Sequence, residues 1–81
     1  MSDNRFVIFS DTVKCAYCKK AVALLRLKNQ DFDYRDISDP ENLKFLKDRG
    51  FSTIPQIYSG EPIEENLIGG FDELVIYFDN Q

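Results

Sequence analysis

The chain has only two cysteines, Cys15 and Cys18, which stand three positions apart in the stretch VKCAYCKKAVALL. Two thiols at this spacing can form and break a disulfide with each other, or they can supply half of a metal site. They can also be two unrelated thiols in an apolar core. Which chemistry applies depends on the elements that position the two sulfur atoms.

A metal site lacks ligands in this sequence. Structural zinc is almost always held by four ligands, and the chain has no histidine and no third cysteine. A complete site in one chain would need carboxylates instead, so we expect no resident metal. Two alternatives stay open: a metal cluster shared between two chains through an exposed Cys15, and two incidental buried thiols.

The cysteine pair stands where a strand gives way to a helix. Residues 6–9 are a short apolar run of strand formers, typical of a strand buried on both faces, and Ser10-Asp11-Thr12 breaks this run. From residue 17 to about 27, apolar residues recur at helical spacing. A Cys-x-x-Cys motif at the start of such a helix, within a βαβ unit, is typical of a thioredoxin-like redox motif.

The helix start makes the two cysteines unequal. Unpaired N–H groups and the dipole at a helix N-terminus stabilise an anion, so the thiolate of Cys15 should be favoured. Lys14, Lys19 and Lys20 add positive charge nearby. Cys18 falls one turn into the helix on its apolar face and should be more buried. We predict that Cys15 is the attacking nucleophile and that Cys18 resolves the mixed disulfide.

The remaining pattern adds three strands and two helices. Asp39-Pro40 is typical of a helix start, and Asn29 and Gly50 are typical of helix ends. We predict strands at 6–9, 32–35, 56–58 and 67–68, a turn at 59–62, helices at 17–27 and 40–49, and a last helix whose apolar face is Phe71, Leu74, Val75 and Phe78. The order β-α-β-α-β-β-α predicts an α/β fold, with a four-stranded mixed sheet, three flanking helices and a right-handed βαβ crossover.

Composition narrows the class of protein. Eighty-one residues fit one domain, which we expect to span residues 1–81. The net charge of −4 leaves no basic surplus for phosphates, so we expect no nucleic-acid partner. No apolar run is long enough to span a bilayer, and the start MSDNR has no signal-peptide pattern. We therefore expect a cytoplasmic protein without a membrane partner. In that reducing compartment, a close cysteine pair is more often catalytic or metal-binding than a structural disulfide.

Thr53-Ile54-Pro55 precedes the third predicted strand. Proline has no N–H to donate, so its position at a strand start has a purely structural explanation. The functional alternative is a cis proline that turns the backbone of Ile54 toward the thiols. An extended substrate could then pair with Ile54 as a short added strand.

Gly69-Gly70-Phe71-Asp72 leads into the last helix. The structural alternative is a tight turn with an acidic residue in the first helical turn. The functional alternative is an anion site, because free N–H groups of Phe71 and Asp72 could hold a carboxylate. Asp72 could also receive an ammonium group. A neighbouring carboxylate and ammonium are what a γ-glutamyl group presents.

The chain resembles the glutaredoxin family over nearly its whole length. The motifs fall in the order and at the spacing of that family, and they are Cys15-Ala16-Tyr17-Cys18, Thr53-Ile54-Pro55-Gln56 and Gly69-Gly70-Phe71-Asp72. Within the family, the stretches KCAYC, PQIY and IGGFDEL are similar to the short members found in T-even bacteriophages. The resemblance implies a thioredoxin fold and a glutathione-dependent thiol–disulfide oxidoreductase.

The resemblance also implies roles for individual residues. Cys15 would be the nucleophile and Pro55 the cis proline, and glutathione would be bound by Lys14, Tyr17, Thr53, Ile54, Pro55, Gly70, Phe71 and Asp72. Gln56 would contribute less. Two positions depart from the family pattern: Ala16 replaces a common proline, and Thr12 replaces a common lysine. Lys14, or a residue near the second helix, would then meet the glycyl carboxylate of glutathione.

The resemblance implies a monomer that reduces protein disulfides and glutathione mixed disulfides, with ribonucleotide reductase as the partner that the phage likeness suggests. Two other functions remain open at this stage. One is a glutaredoxin-like reductase that receives electrons from thioredoxin reductase. The other is a carrier of an iron–sulfur cluster bridged between two chains, with glutathione as an additional ligand.

Overall fold

The computed structural model describes residues 5–11 and 13–80. The prediction about Thr12 and most of that about MSDNR lie outside these residues. The elements in chain order are β1 (Phe6–Ser10), α1 (Ala16–Leu27), β2 (Phe32–Asp36), α2 (Pro40–Asp48), β3 (Gln56–Tyr58), a 3-10 turn (Glu64–Asn66), β4 (Leu67–Gly69) and α3 (Phe71–Asp79). The predicted order of strands and helices is confirmed.

The strands form one mixed sheet in the order β2-β1-β3-β4. β1 and β2 run parallel, with Phe6 opposite Phe32, because α1 crosses between them. β3 runs antiparallel to both β1 and β4. The predicted four-stranded mixed sheet is therefore confirmed, as is the division into a βαβ half and a hairpin half.

β1 is buried along its whole length because helices cover both faces of the sheet. Phe6 and Ile8 face α1 and α3, in a core with Ala21, Val22, Leu25, Ile57 and Leu74. Val7 and Phe9 face α2, in a second core with Leu46 and Tyr58. β1 thus ends between two packed layers, and this fixes the point where the loop that leads to Cys15 begins.

The helix ends follow the predicted chemistry. The Asp39 carboxylate caps α2 by accepting the Glu41 amide at 3.0 Å, and Pro40 is the first helical residue. Asn29 follows the C-cap of α1 with a φ of 56°, a left-handed conformation that asparagine tolerates. Among the residues described, no helix is long and apolar enough to cross a membrane.

One local prediction differs from the structure, and one short element was not predicted. Tyr77 packs on the core with Phe71, Leu74 and Phe78, whereas Val75 lies half-buried outside both cores. The reason is that Phe6 contacts the Tyr77 ring edge-on, at 5.9 Å between centroids, which places the face of α3 nearer to residue 77. The 3-10 turn was not predicted, and it is held by the Asn66 side chain, which donates to the Glu61 carbonyl at 3.1 Å.

Candidate active site

Asp11 shapes the loop between β1 and α1. Its carboxylate accepts the backbone amides of Val13 at 3.0 Å and Lys14 at 3.4 Å, and its carbonyl accepts the Cys15 amide at 3.1 Å. These bonds turn the chain so that α1 begins directly after Cys15. Sequence reasoning missed this role, although an aspartate after a strand is a common residue for such a turn.

Cys15 is the N-cap of α1, as the predicted helix start requires. Its half-buried sulfur accepts the amide of Cys18 at 3.2 Å, so one of the unpaired N–H groups of the helix already points at this sulfur. The same sulfur lies 3.9 Å from the carbonyl oxygen of Ile54 on the opposite side. A thiolate at Cys15 would be held by the helix terminus while its outer side stays open to a substrate.

Cys18 is fully buried one turn further along α1. Burial, with a smaller effect from the hydrogen bond to the Cys15 side chain, raises the pKa of the Cys18 thiol to about 12. Cys18 is therefore protonated near neutral pH. The predicted difference in burial between the two cysteines is confirmed, and both are free thiols in this structure.

The segment before β3 faces the cysteines. The Ile54–Pro55 peptide bond is cis, as predicted. The Gln56 side chain is buried and donates to the carbonyl and the hydroxyl of Thr53, at 3.0 and 3.2 Å. Gln56 thus stabilises the bend at residues 53–55 from the inside. Within the described parts of the chain, the Ile54 amide has no acceptor.

The start of α3 forms the far wall of the site. The Gly70 amide donates to the Glu73 carboxylate at 2.8 Å, so Glu73 caps the helix that it belongs to. The amides of Phe71 and Asp72 follow at the open first turn, where a helix has no internal acceptor for them. Two N–H groups therefore remain available for an anion there. The Gly70 amide is already used by Glu73, so Gly70 would let a ligand come close to the backbone but would not donate to it.

Gly69 makes this helix entry possible. Its φ is +122°, and a Cβ at this position would lie 2.9 Å from the Cγ atom of Glu73. Any larger residue would displace the capping carboxylate of Glu73. Sequence reasoning took Gly69 as part of a tight turn or an anion site, and it missed the close approach of Glu73, which exists only in the folded chain.

A groove of about 510 Å³ joins these segments. Cys15 is not among the residues that line it, but the Cys15 sulfur lies 3.9 Å from the carbonyl oxygen of Ile54, which is. It is lined by Tyr17, Phe51, Thr53, Ile54, Pro55, Gln56, Leu67, Gly69, Gly70, Phe71, Asp72 and Glu73. The structure thus brings together every predicted glutathione-binding residue except Lys14, which lies exposed on the loop before Cys15. Phe51, Leu67 and Glu73 were not predicted, because nothing in their local pattern separates them from core or surface residues.

Aromatic rings border the groove on the side of α1. Tyr17 is 56% exposed, and its ring centroid lies 6.3 Å from that of Phe71. The ammonium of Lys20 lies 5.2 Å from the centre of the Tyr17 ring. The edge of the groove formed by Tyr17 and Phe71 is therefore apolar, and the Lys20 ammonium places one positive charge beside it.

This combination defines a class of protein. A mixed sheet with three helices, a Cys-x-x-Cys pair at the start of α1 and a cis proline opposite the thiols form a thioredoxin fold with a dithiol site. Such a site is built for thiol–disulfide exchange: Cys15 can attack a disulfide, and Cys18 can reach the sulfur of Cys15.

Comparison with known proteins gives the family. The glutaredoxin family model matches residues 6–63. Glutaredoxin 1 of Rickettsia prowazekii (strain Madrid E) is 36% identical over 72 aligned residues, and the match covers 84% of this chain and 72% of that protein. The chain belongs to the glutaredoxin family.

Solved structures agree with this assignment. The solution structure of glutaredoxin from Brucella melitensis has a TM-score of 0.71 and 30% identity, covering 99% of this chain and 84% of that one. The dithiolic glutaredoxin 2-C-Grx1 of Trypanosoma brucei brucei has a TM-score of 0.73 and 27% identity, covering 95% and 79%. NrdH-redoxin from Escherichia coli, at 21% identity and a TM-score of 0.72 over 91% and 92%, shares the fold. The likeness to the phage members stays a prediction.

Proposed function

We propose that this glutaredoxin is a glutathione-dependent dithiol oxidoreductase that reduces protein disulfides and glutathione mixed disulfides. The observation that carries the proposal is the position of unpaired backbone N–H groups around one groove. Ile54, Phe71 and Asp72 all line one groove, and the carbonyl oxygen of Ile54 lies 3.9 Å from the Cys15 sulfur. A small peptide with a carboxylate at one end would find donors along its backbone there.

Glutathione fits this arrangement chemically. Its cysteine backbone would pair with Ile54, which directs its sulfur toward Cys15. Its γ-glutamyl carboxylate would accept from the amides of Phe71 and Asp72, and its ammonium would face the Asp72 carboxylate. Tyr17 would cover one side, and Thr53, Pro55 and Gly70 would supply the floor. Lys14 would have to swing from the loop to reach the glycyl carboxylate.

The proposed reaction starts at Cys15. Its thiolate attacks one sulfur of the substrate disulfide, the substrate S–S bond breaks, and the leaving thiolate takes a proton from solvent. With a glutathione mixed disulfide, a second glutathione can then release Cys15. With a protein disulfide, Cys18 displaces the substrate, and the resulting Cys15–Cys18 disulfide is reduced by two glutathione molecules.

The test is the turnover of a small glutathione mixed disulfide, with glutathione and glutathione reductase supplying electrons from NADPH. We expect steady turnover that saturates with the mixed disulfide and is lost in Cys15→Ser. A matched assay replaces glutathione and its reductase with thioredoxin reductase. Activity in the second assay alone would overturn glutathione dependence and leave the dithiol chemistry intact.

One observation favours that second candidate, a reductase served by thioredoxin reductase. Neither lysine nor arginine occurs among the described residues that line the groove, whereas Asp72 and Glu73 both line it. A groove with two carboxylates and no cation is less suited to the two carboxylates of glutathione than one with a lysine. NrdH-redoxin, which shares this fold, is a glutaredoxin-like protein with a thioredoxin-like activity profile.

The wider setting is part of the same proposal. A monomer in a reducing cytoplasm would keep Cys15 and Cys18 as thiols between cycles. Ribonucleotide reductase is the proposed protein partner, and its disulfide-dependent turnover with this chain as the electron donor would test that choice. An iron–sulfur cluster shared between two chains is a separate outcome, which iron content and colour after anaerobic purification would reveal.

A further inference from the structure

A hydroxyl without a partner lies at the end of β1. The Ser10 side chain is 0% exposed, and its Oγ atom has no hydrogen-bond partner among the residues that the structure describes. The backbone carbonyl of Ser10, in contrast, accepts from the Ile37 amide at 3.1 Å and from the Tyr34 hydroxyl at 3.4 Å. Buried polar atoms without a partner are costly and rare. The placement of this hydroxyl therefore calls for a reason outside folding stability.

The hydroxyl lies on the side of the sheet that carries α1. Side chains alternate along a strand, and Phe6 and Ile8 pack on the core that α1 and α3 cover. Ser10 comes two residues after Ile8 and so faces the same layer. Cys18 is fully buried on the inner side of α1, one turn before the core residues of that helix. Ser10 therefore lies beneath the first turns of α1, on the inner side that carries the resolving thiol.

The pKa of Cys18 responds to the same neighbours. Burial and, to a smaller extent, the Cys15 side chain raise this pKa, whereas the Asp11 backbone and the Ser10 side chain lower it, as polar donors on the inner side of α1 would. A neutral thiol is a weak acceptor, whereas a thiolate accepts strongly. The Ser10 hydroxyl thus lacks a good partner while Cys18 is protonated and gains one when Cys18 ionises.

We propose that Ser10 is a positioning residue for the resolving step, donating a hydrogen bond to the Cys18 thiolate as that thiolate attacks the sulfur of Cys15. The proposal rests on the proposed dithiol function and adds to it a residue for the second half of the exchange. Cys18 loses its proton toward the open side of the site at Cys15, where the leaving group forms. Its electron pair then forms the bond to the Cys15 sulfur, the bond from Cys15 to the substrate breaks, and the substrate leaves as a thiolate that solvent protonates.

The step gives Ser10 an effect that a structural serine would not have. Because the hydrogen bond forms only with the ionised sulfur, it stabilises the attacking state more than the resting state. The substitution Ser10→Ala removes the donor and at the same time removes a buried atom without a partner. We therefore expect a slower resolving step in a protein that is as stable as the parent, or more so.

The experiment follows the reaction of the reduced full chain with Ellman's reagent in stopped flow. Cys15 attacks first and releases one coloured thiolate, and Cys18 then displaces the second. In Ser10→Ala we expect an unchanged first phase and a second phase slower by about tenfold, the lower end for a hydrogen bond to a charged group. Urea unfolding should show an unchanged or higher midpoint.

Two controls complete the test. Ser10→Thr keeps the hydroxyl and should recover the second phase at least in part, with its first phase showing that the site is folded. Ser59→Ala removes a hydroxyl that donates to the Asn66 carbonyl at 3.4 Å, away from the thiols, and should leave both phases unchanged.

Either of two results would overturn the role of Ser10: an unchanged second phase in Ser10→Ala, or equal slowing of both phases with lower stability. Glutathione takes no part in this assay. A chain that fails the glutathione turnover test but shows a Ser10-dependent second phase would lose only the glutathione assignment.

Discussion

At the scale of single residues, the sulfur of Cys15 is a helix cap and, in the proposed function, also the atom that meets the substrate. It accepts the Cys18 amide at 3.2 Å and remains half-buried, whereas the sulfur of Cys18 is closed off from solvent. The same three-residue spacing thus gives two thiols opposite environments, because one turn of helix carries the chain from the open helix end into the core. This difference supports the proposed order, in which Cys15 attacks first and Cys18 resolves.

Replacement of each cysteine by serine tests that order. Cys15→Ser should abolish every exchange reaction, because no other exposed thiol exists in the sequence. Cys18→Ser should keep the turnover of glutathione mixed disulfides and lose most of the reduction of protein disulfides, for which the second thiol is needed. Both activities are measured on each variant with the same electron supply. Equal loss of both activities in Cys18→Ser would contradict the resolving role.

Asp72 tests the γ-glutamyl end of the proposed site. Asp72→Ala should raise the KM for glutathione about tenfold, since a charge-assisted bond to the ligand ammonium would be lost. Asp79→Ala removes the same charge from the other end of α3 and serves as the matched control. A KM that changes equally in both variants would indicate a general charge effect, and an unchanged KM in Asp72→Ala would remove the ammonium contact.

At the scale of elements, the entry to α3 depends on a glycine with a left-handed backbone and on a glutamate that turns back on its own helix. Gly69 gives Glu73 the space to accept the Gly70 amide at 2.8 Å. The amides of Phe71 and Asp72 then remain open toward the groove. The helix thus satisfies its own first donor and leaves the next two for a ligand.

Gly69→Ala should therefore reduce both stability and ligand binding. A residue with a Cβ costs about 1–3 kcal/mol in backbone strain at such a conformation, and it would also push Glu73 away from the Gly70 amide. Gly50→Ala is the control, because Gly50 has a φ of +79° but open space around a Cβ. Urea unfolding should show the greater loss for Gly69→Ala, and only that variant should have a raised KM for glutathione. Equal effects of the two substitutions would mean that Glu73 moves aside without cost.

At the scale of the whole molecule, the sheet brings three distant segments to one end. The first turn of α1, the bend before β3 and the entry to α3 all border the groove, although they are separated by long stretches of sequence. β1 makes this possible because it is buried on both faces and pairs with β2 and β3. The first turn of α1 therefore takes its position from the most deeply buried strand of the sheet.

Burial of Cys18 in this framework makes the stability of the reduced protein depend on pH. The pKa of its thiol is raised from 9.0 to about 12 in the folded chain, so the folded state binds a proton that the unfolded state releases in this range. The contribution to stability is complete below about pH 9 and is lost as the pH rises toward about 12. Reduced protein should thus lose unfolding free energy over this window.

The control for this pH dependence is Cys18→Ala. The pKa of Tyr58 is also raised by burial and gives the parent protein a loss of the same sign. The difference between parent and variant in urea unfolding isolates the thiol, and it should narrow steadily above about pH 9. A difference that stays constant with pH would mean that the thiol is not buried in solution.

Much of this protein was decided by local sequence chemistry. The apolar run of β1, the helical spacing after Cys15 and the Asp39-Pro40 cap each act through near neighbours, and the structure confirms the elements they predict. The motif Cys15-Ala16-Tyr17-Cys18 at a helix start likewise determined which sulfur is open and which is buried.

Only the tertiary structure decided the rest, because those features depend on contacts between distant segments. Tyr77 joins the core since Phe6 reaches it across the sheet, and Phe51 and Leu67 line the groove since the sheet brings their loops together. Glu73 caps Gly70 only where Gly69 leaves space. The burial of the Ser10 hydroxyl follows from the packing of α1 on β1, and a serine after an apolar strand carries no local sign of it.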